Sequence, residues 1–325
     1  MLEPIKHIVI VGAGELGSRH LQGLSRVNIP IRISVVDPSP EALAKSQLRL
    51  REMVSNSNVQ DVEYLASLMG LSQSPDLAIV STNSDIRATV TRSLVETFSA
   101  KNLVLEKILF QRENEYEEIG VLLSNSGVKT WVNHPRRLFP RYKELKIFLS
   151  DKGPFSYDVR GGNWGLACNG LHFLDHLAYL SESDELAIST SGLDKSIVKS
   201  KRSGFVEVNG SLTGTIGRNS FSLHCDSSSE KLRISIQAGK TRIFIDEAAG
   251  VIETKNSENV SSVEGKIICY QSELTNNLVE NILRKGTCEL PSFAEAAKLH
   301  LPFIKALGKH INSFDSACHI GCPIT

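Results

Sequence analysis

An apolar run, Ile8-Val9-Ile10-Val11, breaks into Gly12-Ala13-Gly14-Glu15-Leu16-Gly17, a GxGxxG spacing that passes at once into a helical pattern. In such a turn the first glycine permits the tight bend, the second lets backbone amides approach a pyrophosphate, and the third lets the helix pack on its strand. The helix N-terminus then faces the anion. A second apolar run, Ile31 to Val36, ends in Asp37, about 20 residues beyond Gly17 as a dinucleotide fingerprint requires. Its carboxylate would bond a ribose 2′-hydroxyl and repel a 2′-phosphate, and Pro38, Ser39 and Pro40 follow it where a cation would favour the phosphate. The expected cofactor is therefore NAD rather than NADP, although the same fingerprint also serves FAD. The competing reading is a glycine turn beside an unrelated strand-ending acid.

Three further clusters could use such a cofactor. Val104-Leu105 runs into Glu106-Lys107, at the edge where parallel strands present their loops to ligands. An ammonium there could bond a reacting oxygen and stabilise charge as a hydride departs or arrives; a solvated lysine closing a strand is the alternative. Trp131 to Arg137 lies at the end of the last such strand, and Asn133, Arg136 and Arg137 could hold substrate hydroxyls or carboxylates, or either arginine could serve a structural ion pair. Beyond them, Gly161-Gly162-Asn163-Trp164-Gly165 opens a helix carrying His172, Asp175 and His176. Asp175 and His176 lie one turn from His172, so one face could place an imidazole beside a carboxylate. Such an imidazole could take a hydroxyl proton as the adjacent hydride leaves, or return it in reduction; a satisfied structural histidine is the rival reading.

The elements that must position these groups follow an alternating plan. Strands are expected over His7 to Val11, Ile31 to Val36, Leu77 to Ser81, Asn102 to Leu105 and Val128 to Val132. Helices fall between them, over Glu15 to Val27, Pro40 to Val54, Asp85 to Phe98 and Glu113 to Asn125. Ser39-Pro40 and Asn83-Ser84-Asp85 carry helix-start chemistry. After Asn133 the rhythm changes. A helix over Arg141 to Leu149, a strand over Phe155 to Arg160 and a helix near Gly170 to Leu180 come first. Strands over Val206 to Ile216, Ser220 to His224, Lys231 to Gln237 and Thr241 to Asp246 follow, then helices near Glu273 to Leu283 and Ser292 to Ile311. The expected fold class is α/β: a Rossmann doubly wound parallel sheet over 1–133, then an α+β domain with an open, mostly antiparallel sheet over 134–325. A cleft is expected between the two, and a second subunit over the open sheet would make a homodimer or homotetramer.

Composition supports small-molecule chemistry. The 325 residues are 41% hydrophobic and balance 36 Lys plus Arg against 36 Asp plus Glu, so no net field recruits nucleic acid or a membrane surface. Met1 to Lys6 lead directly into the first strand without a charged-then-apolar leader, and a cytoplasmic location is expected. Six scattered cysteines form no disulfide framework and read as thiols. Cys318, His319 and Cys322 lack a second ligand pair at zinc spacing, so no metal is expected.

The opening from Gly12 to His20, Ser81-Thr82-Asn83, Glu106-Lys107, the arginines Arg136 and Arg137, and Gly170-Leu171-His172-Phe173-Leu174-Asp175 form an ordered set across nearly the whole chain. That set resembles the Gfo/Idh/MocA oxidoreductases, which include glucose-fructose oxidoreductase and inositol dehydrogenase. Ser81 to Asn83 resembles the family's Thr-Pro-Asn cofactor-contact loop, Glu106-Lys107 its Glu-Lys-Pro, and the His172 segment its GxHxxD helix. The resemblance implies that Lys107 and His172 are the catalytic pair, with Thr82, Asn83 and Glu106 lining the nicotinamide side. Two positions depart from the pattern: Ile108 stands for the proline, and Cys168 for an aspartate that many members carry four residues before the histidine.

The expected activity is thus hydride transfer to or from a secondary alcohol or ketone carbon of a sugar, cyclitol or sugar derivative. Family resemblance adds carbohydrate metabolism, including sugar modification for surface glycans. Arg136, Arg137, Asn163, Trp164 and Asn169 are the expected substrate contacts, with Trp164 stacking on a sugar face and Asp175 orienting His172. The alternatives are a dinucleotide-binding sensor that does not turn over, and non-redox sugar chemistry in which bound NAD is recycled.

Overall fold

The computed structural model describes residues 3–257, 259–314 and 320–325. Its chain forms two compact units. One comprises the residues up to Phe110 with Glu117–Pro135 and Cys269–Phe293; the other comprises Gln111–Tyr116, Arg136–Ile268 and Ala294–Thr325.

The first unit is built on six parallel strands: β1 (Lys6–Val11), β2 (Ile31–Val36), β3 (Val59–Leu65), β4 (Leu77–Val80), β5 (Asn102–Glu106) and β6 (Lys129–Asn133), in the order β3-β2-β1-β4-β5-β6. Strands covered on both faces read as continuous apolar runs, and Ile8, Val9, Ile10, Leu77, Ala78, Ile79, Leu103, Val104 and Leu105 are all fully buried. Chain order reverses between β1 and β4, which opens a crevice at the carboxyl ends of those strands. Helices α1 (Glu15–Leu24), α2 (Pro40–Arg51), α3 (Ser84–Glu96) and α4 (Glu113–Ser126) make the connections. Ser39 caps α2, its Oγ accepting from Ala42 N at 3.1 Å, with Pro40 at the first helical position. Asn83 stands at the cap position of α3, but its side chain makes no capping bond, so the expected Asn-Ser-Asp cap is corrected to a backbone start.

Edge strand β3 was not expected. Asp61 and Glu63 interrupt its apolar pattern, and it is held instead by the ladder to β2 and by a 2.5 Å bond from Ser34 Oγ to Glu63 Oε1. A late segment also joins this unit: α7 (Gln271–Lys285) buries Leu278, Val279 and Ile282 at helical spacing and packs on α1. The helices approach closely at Gly23, where a Cβ would lie 2.6 Å from Thr275 Cβ. The chain therefore returns to the first unit after residue 268, a crossing that a single division at 133/134 does not contain.

The second unit carries an eight-stranded sheet ordered β14-β13-β12-β11-β7-β10-β9-β8. Its strands are β7 (Phe155–Gly162), β8 (Leu186–Lys199), β9 (Val206–Ile216), β10 (Asn219–Asp226), β11 (Arg233–Ala238), β12 (Thr241–Asp246), β13 (Val251–Lys255) and β14 (Val260–Glu264). Pairing is antiparallel except between β7 and β10. Side chains alternate along β7, β10, β11 and β12. Phe155, Tyr157, Val159, Phe221, Leu223, Ile234, Ile236, Ile243 and Ile245 are buried on the inner face, while Ser156, Arg160, Ser220, Arg233 and Arg242 are exposed on the outer one. The unit's helices are α5 (Pro140–Leu149), α6 (Leu166–Ser181) and α8 (Phe293–Phe314), the last beginning at the unit boundary. Helix α6 starts four residues before the expected Gly170. Among the described residues no helix is long and apolar enough to cross a membrane. Cys318 and His319 lie outside the described residues.

Candidate functional site

In the first unit the glycine turn follows β1 as expected, and each glycine has its own reason. Gly12 has φ +96°, and a Cβ there would lie 2.9 Å from Ser81 C, so the turn lies directly against the loop after β4. A Cβ on Gly17 would overlap Gly12 O and lie 2.6 Å from Ser81 Oγ. Gly14 differs: it is exposed, and among the described residues no atom lies within 4 Å of where its Cβ would be. No side-chain hydrogen bond caps α1 at Gly14, so among the described residues the first amides of that helix have no side-chain cap beside a surface without a Cβ. Ala13 is buried and Leu16 half-buried beneath this surface.

Asp37 holds the turn in place. Its Oδ2 accepts from Ala13 N at 2.7 Å and its Oδ1 from Ser39 N at 2.8 Å. Each oxygen keeps a second lone pair with which to accept a ribose hydroxyl. Ser81 is a staple, its Oγ donating to Gly12 O at 2.7 Å and Val11 O at 3.1 Å. Glu15, in the first turn of α1, is bonded to Arg49 at 2.7 Å and Lys45 at 3.1 Å. The Arg49 guanidinium, with Lys45, pulls its carboxyl down to about 2. Thr82 Oγ1 is buried and has no partner among the described residues, while Asn83 is exposed. An open glycine cradle, a helix start without a side-chain cap, an acid at the end of β2 and an orphaned hydroxyl after β4 together fit a dinucleotide.

Glu106 and Lys107 leave the end of β5 in different surroundings. Glu106 is 3% exposed, and its Oε1 accepts from Asn133 Nδ2 at 2.5 Å and lies 3.0 Å from His20 Nε2. Asn133 also donates to Gln271 Oε1 at 2.8 Å, and His20 Nδ1 lies 3.0 Å from Thr275 Oγ1. This buried chain ties α1, β5, β6 and α7 together, so Glu106 and Asn133 serve the frame. Lys107 is half-buried, its peptide to Ile108 is cis, and Ile108, Leu109 and Phe110 behind it are wholly buried. That apolar anchor fixes the backbone from which the lysine projects.

In the second unit, His172 is half-buried in the second turn of α6. The helix begins after Gly165 at φ +76°, and the Glu207 carboxylate of β9 accepts from Ala167 N at 2.8 Å and Cys168 N at 3.2 Å. An acid at a helix N-terminus complements its dipole. Arg137 makes a forked ion pair with Asp175 at 2.8–3.1 Å, and Asp175 is fully buried. Burial raises the Asp175 carboxyl against the pull of Arg137. Arg136 forks onto Glu247 at 3.0 and 2.8 Å and lies 4.4 Å over the Phe173 ring. Tyr142 donates to Glu247 Oε1 at 2.5 Å.

Both arginines are thus held in ion pairs, the alternative the sequence had left open for them, and Asp175, for which no such pair was expected, accepts from Arg137. His176 is fully buried, its Nδ1 2.9 Å from Tyr157 OH; burial, then the charge of Arg136, holds it well below the usual histidine range and keeps it neutral. The remaining expected substrate contacts each donate to a backbone carbonyl. Asn169 Nδ2 donates to Trp164 O at 2.6 Å, Trp164 Nε1 to His224 O at 2.8 Å, and Asn163 Nδ2 to Ser228 O at 2.8 Å, with the Trp164 ring edge-on to Phe173 at 5.3 Å.

No family model matches the chain, and no curated protein matches it. Solved structures do. An oxidoreductase from Agrobacterium radiobacter, in complex with NAD+, L-tartaric acid and magnesium, aligns with TM-score 0.71 at 10% identity over 95% of this chain and 97% of that one. A mutant of KijD10, a 3-ketoreductase from Actinomadura kijaniata in complex with TDP-benzene and NADP, aligns with TM-score 0.70 at 11% identity over 92% and 96%. The transcriptional regulator Gal80p from Kluyveromyces lactis aligns with TM-score 0.71 at 16% identity over 96% and 93%. These structures are of the Gfo/Idh/MocA type.

The chain has the Gfo/Idh/MocA fold.

Within this Gfo/Idh/MocA fold, several residues that hold the site went unrecognised in the sequence. Glu247 and Glu207 sit 111 and 40 residues from the groups they bind, and no local pattern marks them. Gln271 and Thr275 come from α7, expected only as a terminal helix. Arg87 is fully buried in the first turn of α3, a place where arginine ordinarily reads as a solvated helix residue.

Proposed function

We propose that the chain is a nicotinamide-dependent oxidoreductase that moves hydride to or from a secondary alcohol or ketone carbon of a sugar, cyclitol or sugar derivative. The observation that carries this reading is the open space at Gly14, beside two glycines that the fold itself needs. Gly12 to Gly17 would take the pyrophosphate and Asp37 the adenosine ribose, with NAD preferred over NADP because a carboxylate repels a 2′-phosphate. Thr82, whose hydroxyl has no partner among the described residues, and Asn83 would lie along the nicotinamide side. When bound, the nicotinamide supplies or accepts the hydride.

Lys107 would offer its ammonium to the reacting oxygen and stabilise the charge that develops there. His172 would take the hydroxyl proton in oxidation and return it in reduction. Arg136, Arg137 and Asp175, committed to ion pairs, would shape the substrate side through the elements they fix, while Asn163, Trp164 and Asn169 would present a braced polar and aromatic surface. Cys225, Cys288 and Cys322 are free thiols, which suits a reducing compartment such as the cytoplasm. The polar outer face of the second sheet would pair copies into a homodimer or homotetramer through hydrogen bonds and ion pairs.

The test is turnover against a panel of nucleotide-linked and free sugars, following NADH absorbance and product together, with Lys107→Ala and His172→Ala beside the wild type. The expected losses are about 100- to 1000-fold for the lysine and about 100-fold for the histidine. Rates like the wild type in both variants would remove the mechanism. A second reading, a dinucleotide-binding regulator without turnover, is favoured by the likeness to Gal80p; it predicts NADH binding with no product from any sugar.

A further inference from the structure

Arg87 is among the largest fully buried side chains of the molecule, at 1% exposure. Its guanidinium donates to three main-chain carbonyls: Nη2 to Thr82 O, and Nη1 to Ile108 O and, at 3.2 Å, to Leu109 O. Thr82 lies in the loop after β4, and Ile108 and Leu109 in the loop after β5; these strands are parallel neighbours. Desolvating a cation is costly, and an apolar side chain would fill the same space without that cost. Since all three of these acceptors are main chain, what the guanidinium secures is the relative position of two loops.

We propose that Arg87 is a positioning residue, which sets Thr82 and Lys107 in register for the nicotinamide end of a bound dinucleotide. The inference rests on the role given to Lys107 under Proposed function. Arginine suits the task because its planar fork presents donors in several fixed directions, whereas a lysine ammonium is a point charge that cannot span both loops. The adenosine end depends on other contacts, since Asp37 holds the glycine turn through Ala13 N and Ser81 pins it at Gly12 O. Loss of Arg87 should therefore separate the two halves of the cofactor.

The experiment compares NADH with ADP-ribose, which lacks the nicotinamide, by calorimetric titration of the wild type, Arg87→Lys and Arg87→Ala, with melting temperatures taken in parallel. Weakening of NADH by about tenfold in both variants, with ADP-ribose affinity unchanged and NADH affinity in Arg87→Ala restored by non-denaturing guanidinium, is the expected result. If Arg87→Ala does not fold, Arg87→Lys alone decides through the split between the two ligands. Equal weakening of both ligands would make Arg87 a general structural residue and overturn the proposal, as would unchanged NADH affinity. A wild type that binds neither ligand would instead overturn the dinucleotide reading itself, and this inference with it.

Discussion

Asn133 Nδ2 donates to Glu106 Oε1 at 2.5 Å, across the register pair that ends β5 and β6. The acid beside Lys107 is therefore built into the frame, with His20 on the same oxygen at 3.0 Å. Removing it in Glu106→Ala leaves buried donors without an acceptor and should cost about 2–4 kcal/mol. Glu106→Gln keeps an oxygen for Asn133 and should cost less. Urea unfolding measures both; equal stability of Glu106→Ala and wild type would show that the network carries no weight.

The three glycines of the turn should respond differently to one methyl group. Gly17→Ala forces a Cβ into Gly12 O and should lower the melting temperature sharply, since backbone cannot give way there. Gly14→Ala meets no atom of the described residues within 4 Å and should melt like the wild type. It should nonetheless lose dinucleotide affinity, because its methyl would stand where phosphate must approach the amides. A Gly14→Ala variant with intact affinity would place the phosphates elsewhere.

The contrast between these glycines explains what could be read from the chain. Steric demands at Gly12 and Gly17, and the apolar runs of β1, β2 and β4, are local properties, so the turn and its sheet were legible. Edge strand β3, with Asp61 and Glu63 in its ladder, and β8, β13 and β14 at the margins of the second sheet lack a buried stripe, so nothing in their pattern announces a strand. The early start of α6 depends on Glu207, distant in sequence. Whether Arg136 and Arg137 hold substrate or partner could not be decided from the sequence, because Glu247 and Asp175 are 111 and 38 residues away.

Asp175→Asn removes the charge opposite Arg137 while keeping the shape. Breaking a pair whose acid is wholly buried should destabilise the second unit by about 3 kcal/mol, read from thermal or urea unfolding. The double variant Asp175→Leu with Arg137→Met removes both charges and should recover much of that loss. No recovery would mean that the two side chains act independently.

Glu15 gives the chain a small acid-dependent stability. Its folded carboxyl is held at about 2 against an ordinary value of 4.5, chiefly by Arg49. A depressed carboxyl contributes fully above pH 4.5, and that contribution fades as pH falls toward 2. The Glu15 side chain is 61% exposed, so screening keeps the effect below about 1 kcal/mol. Wild type and Glu15→Gln should converge in melting temperature across that window and differ slightly at neutral pH, less so in high salt. A gap that widens on acidification would reverse the sign and contradict the assignment.

The central claim is that the first unit receives a nicotinamide dinucleotide at the Gly12–Gly17 turn, and calorimetric titration of the purified chain with NADH tests it most directly. The account predicts saturable binding of one dinucleotide per chain, abolished in Gly14→Ala while that variant still melts like the wild type. Absence of saturable NADH binding by the folded wild-type chain would contradict it.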